Sequence, residues 1–304
     1  MVLIFALFNK IGYNINMLNL IVAPKKHVAN GEKFVKKIVK YLKTEKVEYS
    51  VYFSTEYSDI GESVRELISF GETEFVIVGD DVIVNEFLNS VKDLNKIKLG
   101  IIPTNKYDDF ARFLELETDP VKAIRNILKK EINEVDLLLV NDKRVLNSIV
   151  LGASVEIEEI YNQYKWQNFI TEQYAKLKVN KKYNGAELTI SSKNNKAKTL
   201  NIYEMVIANG GYYKGKHVSP LSNAKDGLFN LIYSDSTIKK NNINLYKRFA
   251  KGNHIYSEDA KQMWLNNLKI TSADNKIKAL IDGRIYTLDK LEITLVENAI
   301  KIYK

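Results

Sequence analysis

Two stretches decide the fold: Phe75-Val76-Ile77-Val78-Gly79-Asp80-Asp81-Val82-Ile83-Val84-Asn85-Glu86 and Ile101-Ile102-Pro103-Thr104-Asn105-Lys106-Tyr107-Asp108-Asp109-Phe110-Ala111-Arg112. Each begins as a short continuous apolar run, turns at a glycine or proline, and goes on with acids at the head of a helical spacing. Strands that are apolar on both faces belong to parallel sheets covered by helices on both sides. Open sheets of this kind bind ligands beyond the carboxyl ends of their strands. Asp80, Asp81, Asp108, Asp109 and Glu86 therefore gather at a rim where chemistry is expected. Carboxylates beside a phosphate site usually hold Mg²⁺, a cation that takes oxygen ligands and bridges to phosphates. The same acids could instead complement helix N-termini, and the residues alone leave both readings open.

The alternation extends outward from these stretches. Leu18 to Ala23 and Val47 to Phe53 read as strands, while Val35, Ile38, Val39 and Leu42, then Ile60, Val64, Leu67 and Ile68, fall on helix faces. Lys98 to Ile102 is the fourth strand, and helices follow near Asp108 to Leu114 and Pro120 to Lys130. After Glu131 the texture changes. Val135 to Val140 and Val145 to Leu151 read as a hairpin, and from Ala186 onward short β-rich runs recur. The expected fold class is thus α/β: an N-terminal α/β domain over 18–133, a C-terminal β-sandwich over 134–304, and residues 1–17 as an extension, with Met17 an alternative start. Trp166, Phe169, Ile170, Tyr174 and Leu177 lie at helical spacing and predict a helix whose aromatic face packs into the core.

Composition limits the chemistry. The 304 residues contain no cysteine, which excludes disulfides, thiolate nucleophiles and cysteine zinc sites, and three scattered histidines suggest no metal centre. The net charge of +8 is unevenly placed: residues 1–133 carry 19 basic and 19 acidic side chains, and residues 134–304 carry 26 and 18. Lys165 to Lys198 holds eight lysines against Glu172 and Glu187. An anionic partner is implied. Nucleic acid is not the expected one, because only six arginines are present and no recognition helix or stacking motif stands out.

The glycine-aspartate turn, Asn85-Glu86, and Ile-Ile-Pro-Thr followed by Asp-Phe-Ala-Arg resemble the catalytic domain of diacylglycerol kinases, shared by bacterial lipid kinases and sphingosine kinases. The resemblance continues through Asp136 to Leu139, Asn147, Gly152, Asn209-Gly210, Gly215, Pro220, Asp226-Gly227-Leu228, Gly252, His254 and Asp282-Gly283. It implies a nucleotide-binding α/β domain related to NAD kinases, a β-sandwich, and an active site in the cleft between them. ATP and Mg²⁺ would be the cofactors, with transfer of the γ-phosphoryl group to a lipid hydroxyl.

Carried over, Asp80 and Asp109 match the family's catalytic, metal-organising aspartates, Asp226 an aspartate near a structural Mg²⁺, and Gly79, Thr104 and Glu86 nucleotide-binding or supporting positions. Lys106 replaces a lost turn residue and could meet a phosphate. Three departures stand out. Asp81 occupies a glycine position of the phosphate loop, Asn105 another, and Arg284 stands where the family has its glutamate base, leaving Asp282, Asp80 or Asp109 as a substitute. Arginine stays protonated and cannot take that proton. The partners implied are a lipid substrate and peripheral contact with an anionic membrane surface from the cytoplasm, with a homodimer an open alternative. A catalytically impaired relative that binds lipid or protein is the rival reading.

Overall fold

Four strands without a charged residue in their interiors form the parallel centre of the first unit. The computed structural model describes residues 4–5, 17–24, 31–105, 108–235, 251–258 and 260–304. Lys106 and most of the extension 1–17 lie outside them. The chain divides into two units, one of residues up to Asp136 with Glu297–Lys304, the other Leu137–Val296.

In the first unit β1 (Ile4–Phe5), β2 (Leu18–Val22), β3 (Tyr49–Phe53), β4 (Glu74–Gly79) and β5 (Lys98–Pro103) lie in the order β1-β3-β2-β4-β5. All neighbours pair in parallel except β1 with β3. Alternate strand residues serve opposite faces. Leu18, Leu20, Val22, Val76 and Val78 pack with α1 (Gly31–Thr44) and α5 (Pro120–Leu128). On the other face Phe75 meets Phe87 of α3 (Asp81–Ser90) edge-on at 5.2 Å between ring centroids. α2 (Ser58–Ser69) packs beside α3, burying Ile60, Val64 and Leu67, and a short α4 (Asp109–Phe113) follows β5. The free edge of β5 is covered by the end of the chain: Lys301 and Ile302 pair in parallel with Lys98 and Leu99. The sequence reading had assigned that last strand to the β-sandwich.

The second unit is antiparallel. β8 (Ser148–Gly152), β9 (Ala186–Ser192), β10 (Asn195–Ala208), β11 (Phe229–Asp235), β12 (Lys261–Leu265), β13 (Asn267–Thr271), β14 (Ile277–Ile281), β15 (Arg284–Leu288) and the first part of β16 (Lys290–Tyr303) build it. The first part of β10 pairs with β9. After a register shift between Ile202 and Glu204 its second part pairs with β8 and β11. One strand thus serves two sheets, the corner device of a β-sandwich, and Leu188, Ile190, Leu200, Met205, Ile207, Leu231 and Ile270 share the core.

Three sequence expectations change here. The hairpin is made by β6 (Ile132–Val140) with β7 (Lys143–Val145) alone, because the chain breaks at Leu146-Asn147 and β8 joins β10 and β14 instead. A helix without a sequence signal, α6 (Ala153–Asn162), starts directly from β8. The predicted aromatic helix exists as α7 (Phe169–Lys182), but its aromatic face is not core: Ala175 and Val179 are buried, whereas Phe169 and Ile170 are about three-quarters exposed (73% and 76%). Residues advance about 100° each along a helix, which puts Ile170, Tyr174 and Leu177 opposite Ala175 and Val179.

α6 lacks a side-chain cap of its own. The buried Glu204, opposite Gly152 in the ladder, accepts the Ser154 N–H at 2.9 Å in its place. Burial pushes the Glu204 carboxyl up to about 7, against the lowering effect of Ser154 and of Lys216. Since the folded value exceeds the unfolded one, the protonated form is favoured by folding. This stabilisation is fully present below the unfolded value near pH 4.5 and is lost as pH rises through about 7. Glu204→Gln should therefore gain on the order of 1–3 kcal/mol over the wild type at pH 8 and little at pH 5, as read from urea midpoints at the two pH values. Equal midpoint shifts at both would refute the assignment.

Candidate active site

The strand order reverses between β2 and β4, since β3 lies on one side of β2 and β4 and β5 on the other. The carboxyl ends of β2 and β4 thus flank the switch point, where such sheets bind ligands. The turns there are tied by backbone: Ala23 N–H donates to Val78 O at 3.0 Å and Thr104 N–H to Gly79 O at 3.1 Å. Gly79 sits where a Cβ would come within 2.8 Å of Ala23 Cβ and 2.5 Å of Ile83 Cγ2. Its missing side chain permits close packing of the turn.

Asp80 caps α3. One carboxylate oxygen accepts the Ile83 N–H at 3.1 Å and the other the Tyr57 hydroxyl at 2.6 Å. Asp81, in the first turn of the same helix, reaches the next loop, and its carboxylate accepts the Phe110 N–H at 3.1 and 3.3 Å. It thereby takes the place that Asp108, the N-cap residue of α4, leaves vacant. Asp108 is turned to its own loop and accepts the Asn105 N–H at 3.1 Å. Burial, and then the charges of Asp80 and Asp109, push its carboxyl up to about 7. Asp80, Asp108 and the buried Asp109 thus share one electrostatic site, with Asp81 bridging its two loops. Glu86 stands half-buried one turn further along α3.

The other predicted residues lie in the second unit. Asp282 and Gly283, both with positive φ (44° and 80°), make the turn between β14 and β15. The Asp282 carboxylate accepts backbone N–H groups of Leu146 at 2.8 Å, Asn147 at 2.9 Å and Ser148 at 3.2 Å. This clamp holds the break between β7 and β8. Arg284 is exposed, and Asp226 is an exposed turn residue whose carboxylate accepts the Leu228 N–H at 3.1 Å. Sequence reasoning missed Tyr57, which carries no signal 23 residues before Asp80. It also missed Glu204, whose signal was a lone charge inside the apolar run Ile202 to Ala208.

A nucleotide triphosphate and its Mg²⁺ can be tested against these atoms. The N–H groups of Ile83 and Phe110, donors at the starts of α3 and α4, are already engaged by Asp80 and Asp81. A phosphate approaching them meets carboxylate charge. Among the described residues no three acids or histidines converge in a geometry that would hold a metal ion. The residues as arranged do not form a cradle for Mg²⁺-triphosphate, so no chemical step is derived through it.

Residues 17–140 match the family described as diacylglycerol kinase catalytic domain, and residues 147–304 match the YegS C-terminal NAD kinase beta sandwich-like domain. The chain belongs to the diacylglycerol kinase-like family that joins these two domains. A protein of Staphylococcus carnosus (strain TM300) named "Putative lipid kinase" is 29% identical over 240 residues, 75% of this chain and 76% of the relative. A diacylglycerol kinase structure from Bacillus anthracis str. Sterne superposes with a TM-score of 0.73 at 18% identity, over 95% of this chain and 96% of that one. An NAD kinase from Archaeoglobus fulgidus, solved with ATP, gives a TM-score of 0.54 at 12% identity, over 95% and 94%. These two likenesses concern the fold. No helix among the described residues is long and apolar enough to cross a membrane.

Proposed function

We propose that the protein is a lipid kinase that transfers the γ-phosphoryl group of ATP to a lipid hydroxyl with the help of Mg²⁺. The observation that carries this reading is family membership across both domains, and the place of Asp80 at the carboxyl end of β4, beside the switch point of the sheet, supports it. In this reading Asp80 and Asp109 stand at the family's metal- and nucleotide-organising positions and Thr104, Glu86 and Lys106 at supporting ones, and the Asp81–Phe110 bridge must open before a triphosphate can be held there. Asp226 supports a structural ion in the second unit. Diacylglycerol-like lipids are the proposed acceptors, presented by a membrane that the protein meets from the cytoplasmic side. Asp282 is the carboxylate left near the position of the missing base. Its oxygens are already taken up by three backbone N–H groups.

Phosphate transfer from labelled ATP to diacylglycerol, sphingoid and monoacyl lipids in mixed micelles tests the proposal. Turnover on at least one acceptor is expected, reduced about a hundredfold in Asp80→Asn, which keeps a capping oxygen but loses the charge. Wild-type rates no higher than those of the variant on every lipid would sink it. The rival, a lipid-binding relative without turnover, is favoured by one specific observation: Asp81 already occupies the Phe110 N–H.

A further inference from the structure

α7 is apolar on two opposite sides, and only one of them is used. Ala175 and Val179 pack with Ala153, Ile157 and Tyr203. On the far side Ile170, Tyr174 and Leu177 are 76%, 50% and 63% exposed, and Trp166 and Phe169 beside them are 77% and 73% exposed. Five large apolar side chains in twelve residues make a contiguous patch, which a soluble surface rarely leaves bare without a use. The loop that carries Trp166 is held in place. Asn168 and Thr171 form a reciprocal capping box, the Thr171 hydroxyl lies 3.2 Å from the Trp166 carbonyl, and Tyr164 stacks edge-on against Tyr174 at 5.9 Å.

The surround of the patch is basic. Residues 165–182 contain five lysines and one glutamate, Glu172, which Lys176 engages at 2.6 Å. Lys165, Lys178, Lys181 and Lys182 make no ion pair among the described residues. Large aromatic and aliphatic side chains beside unpaired lysines are the composition of a helix lying in the headgroup region, apolar side down and ammonium groups among anionic lipids. A protein partner or a second copy would need matching acidic residues. An anionic bilayer supplies negative charge at any register.

We propose that the exposed face of α7, with Trp166 and Phe169 at its leading end, docks on an anionic membrane surface. The proposal deepens the lipid reading above, though its observations lie on a different element from the acidic turns. Flotation with phosphatidylcholine vesicles, plain or with about a third phosphatidylglycerol, tests it on the full chain. Binding is expected only with the anionic lipid, weakening as salt rises. The chain has two tryptophans, so Trp264→Phe leaves Trp166 as reporter, and its emission should shift to the blue on binding.

Ile170→Glu with Leu177→Glu, and separately Lys181→Glu with Lys182→Glu, should each lower anionic-vesicle binding about tenfold or more while leaving the melting temperature unchanged. Absence of wild-type binding, or binding unmoved by both pairs, overturns the proposal. So does a wild-type dimer that ignores vesicles and falls apart in the Ile170→Glu pair, which would make the face a contact between copies. Vesicle binding without turnover on any lipid would fail the kinase reading alone; turnover on short-chain diacylglycerol without vesicle binding would fail the docking alone.

Discussion

Asp81→Gly is expected to tighten Mg-ATP binding about tenfold or more, measured by isothermal titration calorimetry. In the wild type the Asp81 carboxylate lies on the Phe110 N–H, so an incoming phosphate loses a donor and gains a like charge. Two unit charges about 4 Å apart repel by roughly 4 kcal/mol at an effective dielectric of 20, and half-exposure reduces that further. A tenfold gain needs only about 1.4 kcal/mol, well inside the reduced figure. Asp81→Asn, which keeps an acceptor without the charge, should fall between the two. An unchanged affinity in a variant that melts like the wild type would show that the bridge does not guard this site. Should the variant also acquire turnover that the wild type lacks, the impaired-relative reading would hold for the natural sequence, and the kinase reading for its fold.

Gly152→Ala is expected to cost about 3 kcal/mol or more of stability, seen as a fall in the urea midpoint of at least ~1 M. Gly152 has φ 103° and ψ −143°, a region that residues with a Cβ avoid. A Cβ there would come 2.3 Å from the Tyr203 carbonyl oxygen and 3.0 Å from Glu204 Cα. Both are backbone atoms of β10, which is paired with β8 and β11 at this point and cannot step aside. A midpoint shift of a few tenths of a molar would mean that the junction relaxes far more than a doubly paired strand should. The close approach also puts Glu204 where it can cap α6, so the same variant should weaken the pH dependence expected of that carboxyl.

The first unit was legible because its signals are local. Runs such as Phe75 to Val78 are apolar on both faces, the helices carry single apolar stripes, and the acids stand directly after the strands. The second unit hides its instructions in partners distant along the chain. The break at Leu146-Asn147 is enforced by Asp282, 136 residues from Leu146, so periodicity alone ran β7 and β8 together. α6 went unseen because its capping carboxylate comes from β10 and its N-cap is a glycine. α7 was found and turned the wrong way: with apolar residues on both sides, spacing cannot say which stripe faces inward, and the smaller one, Ala175 and Val179, is the one that does. At the site, the acids after the two strands were readable as residues, but the occupation of Asp80, Asp81 and Asp108 by the Ile83, Phe110 and Asn105 N–H groups depends on how the two loops meet.

The return of Glu297–Lys304 to the edge of β5 bears on the order of events during synthesis. Domains nearest the N-terminus ordinarily finish folding first as the chain emerges from the ribosome. Here the second unit, Leu137–Val296, is one uninterrupted piece and can close as soon as it is free. The first unit must wait until the whole second unit has been made before Lys301 and Ile302 can seal β5. Until then β5 presents an unpaired parallel edge, so chaperone dependence and truncation before Lys301 should trace to the unit whose strands are made before those of the other.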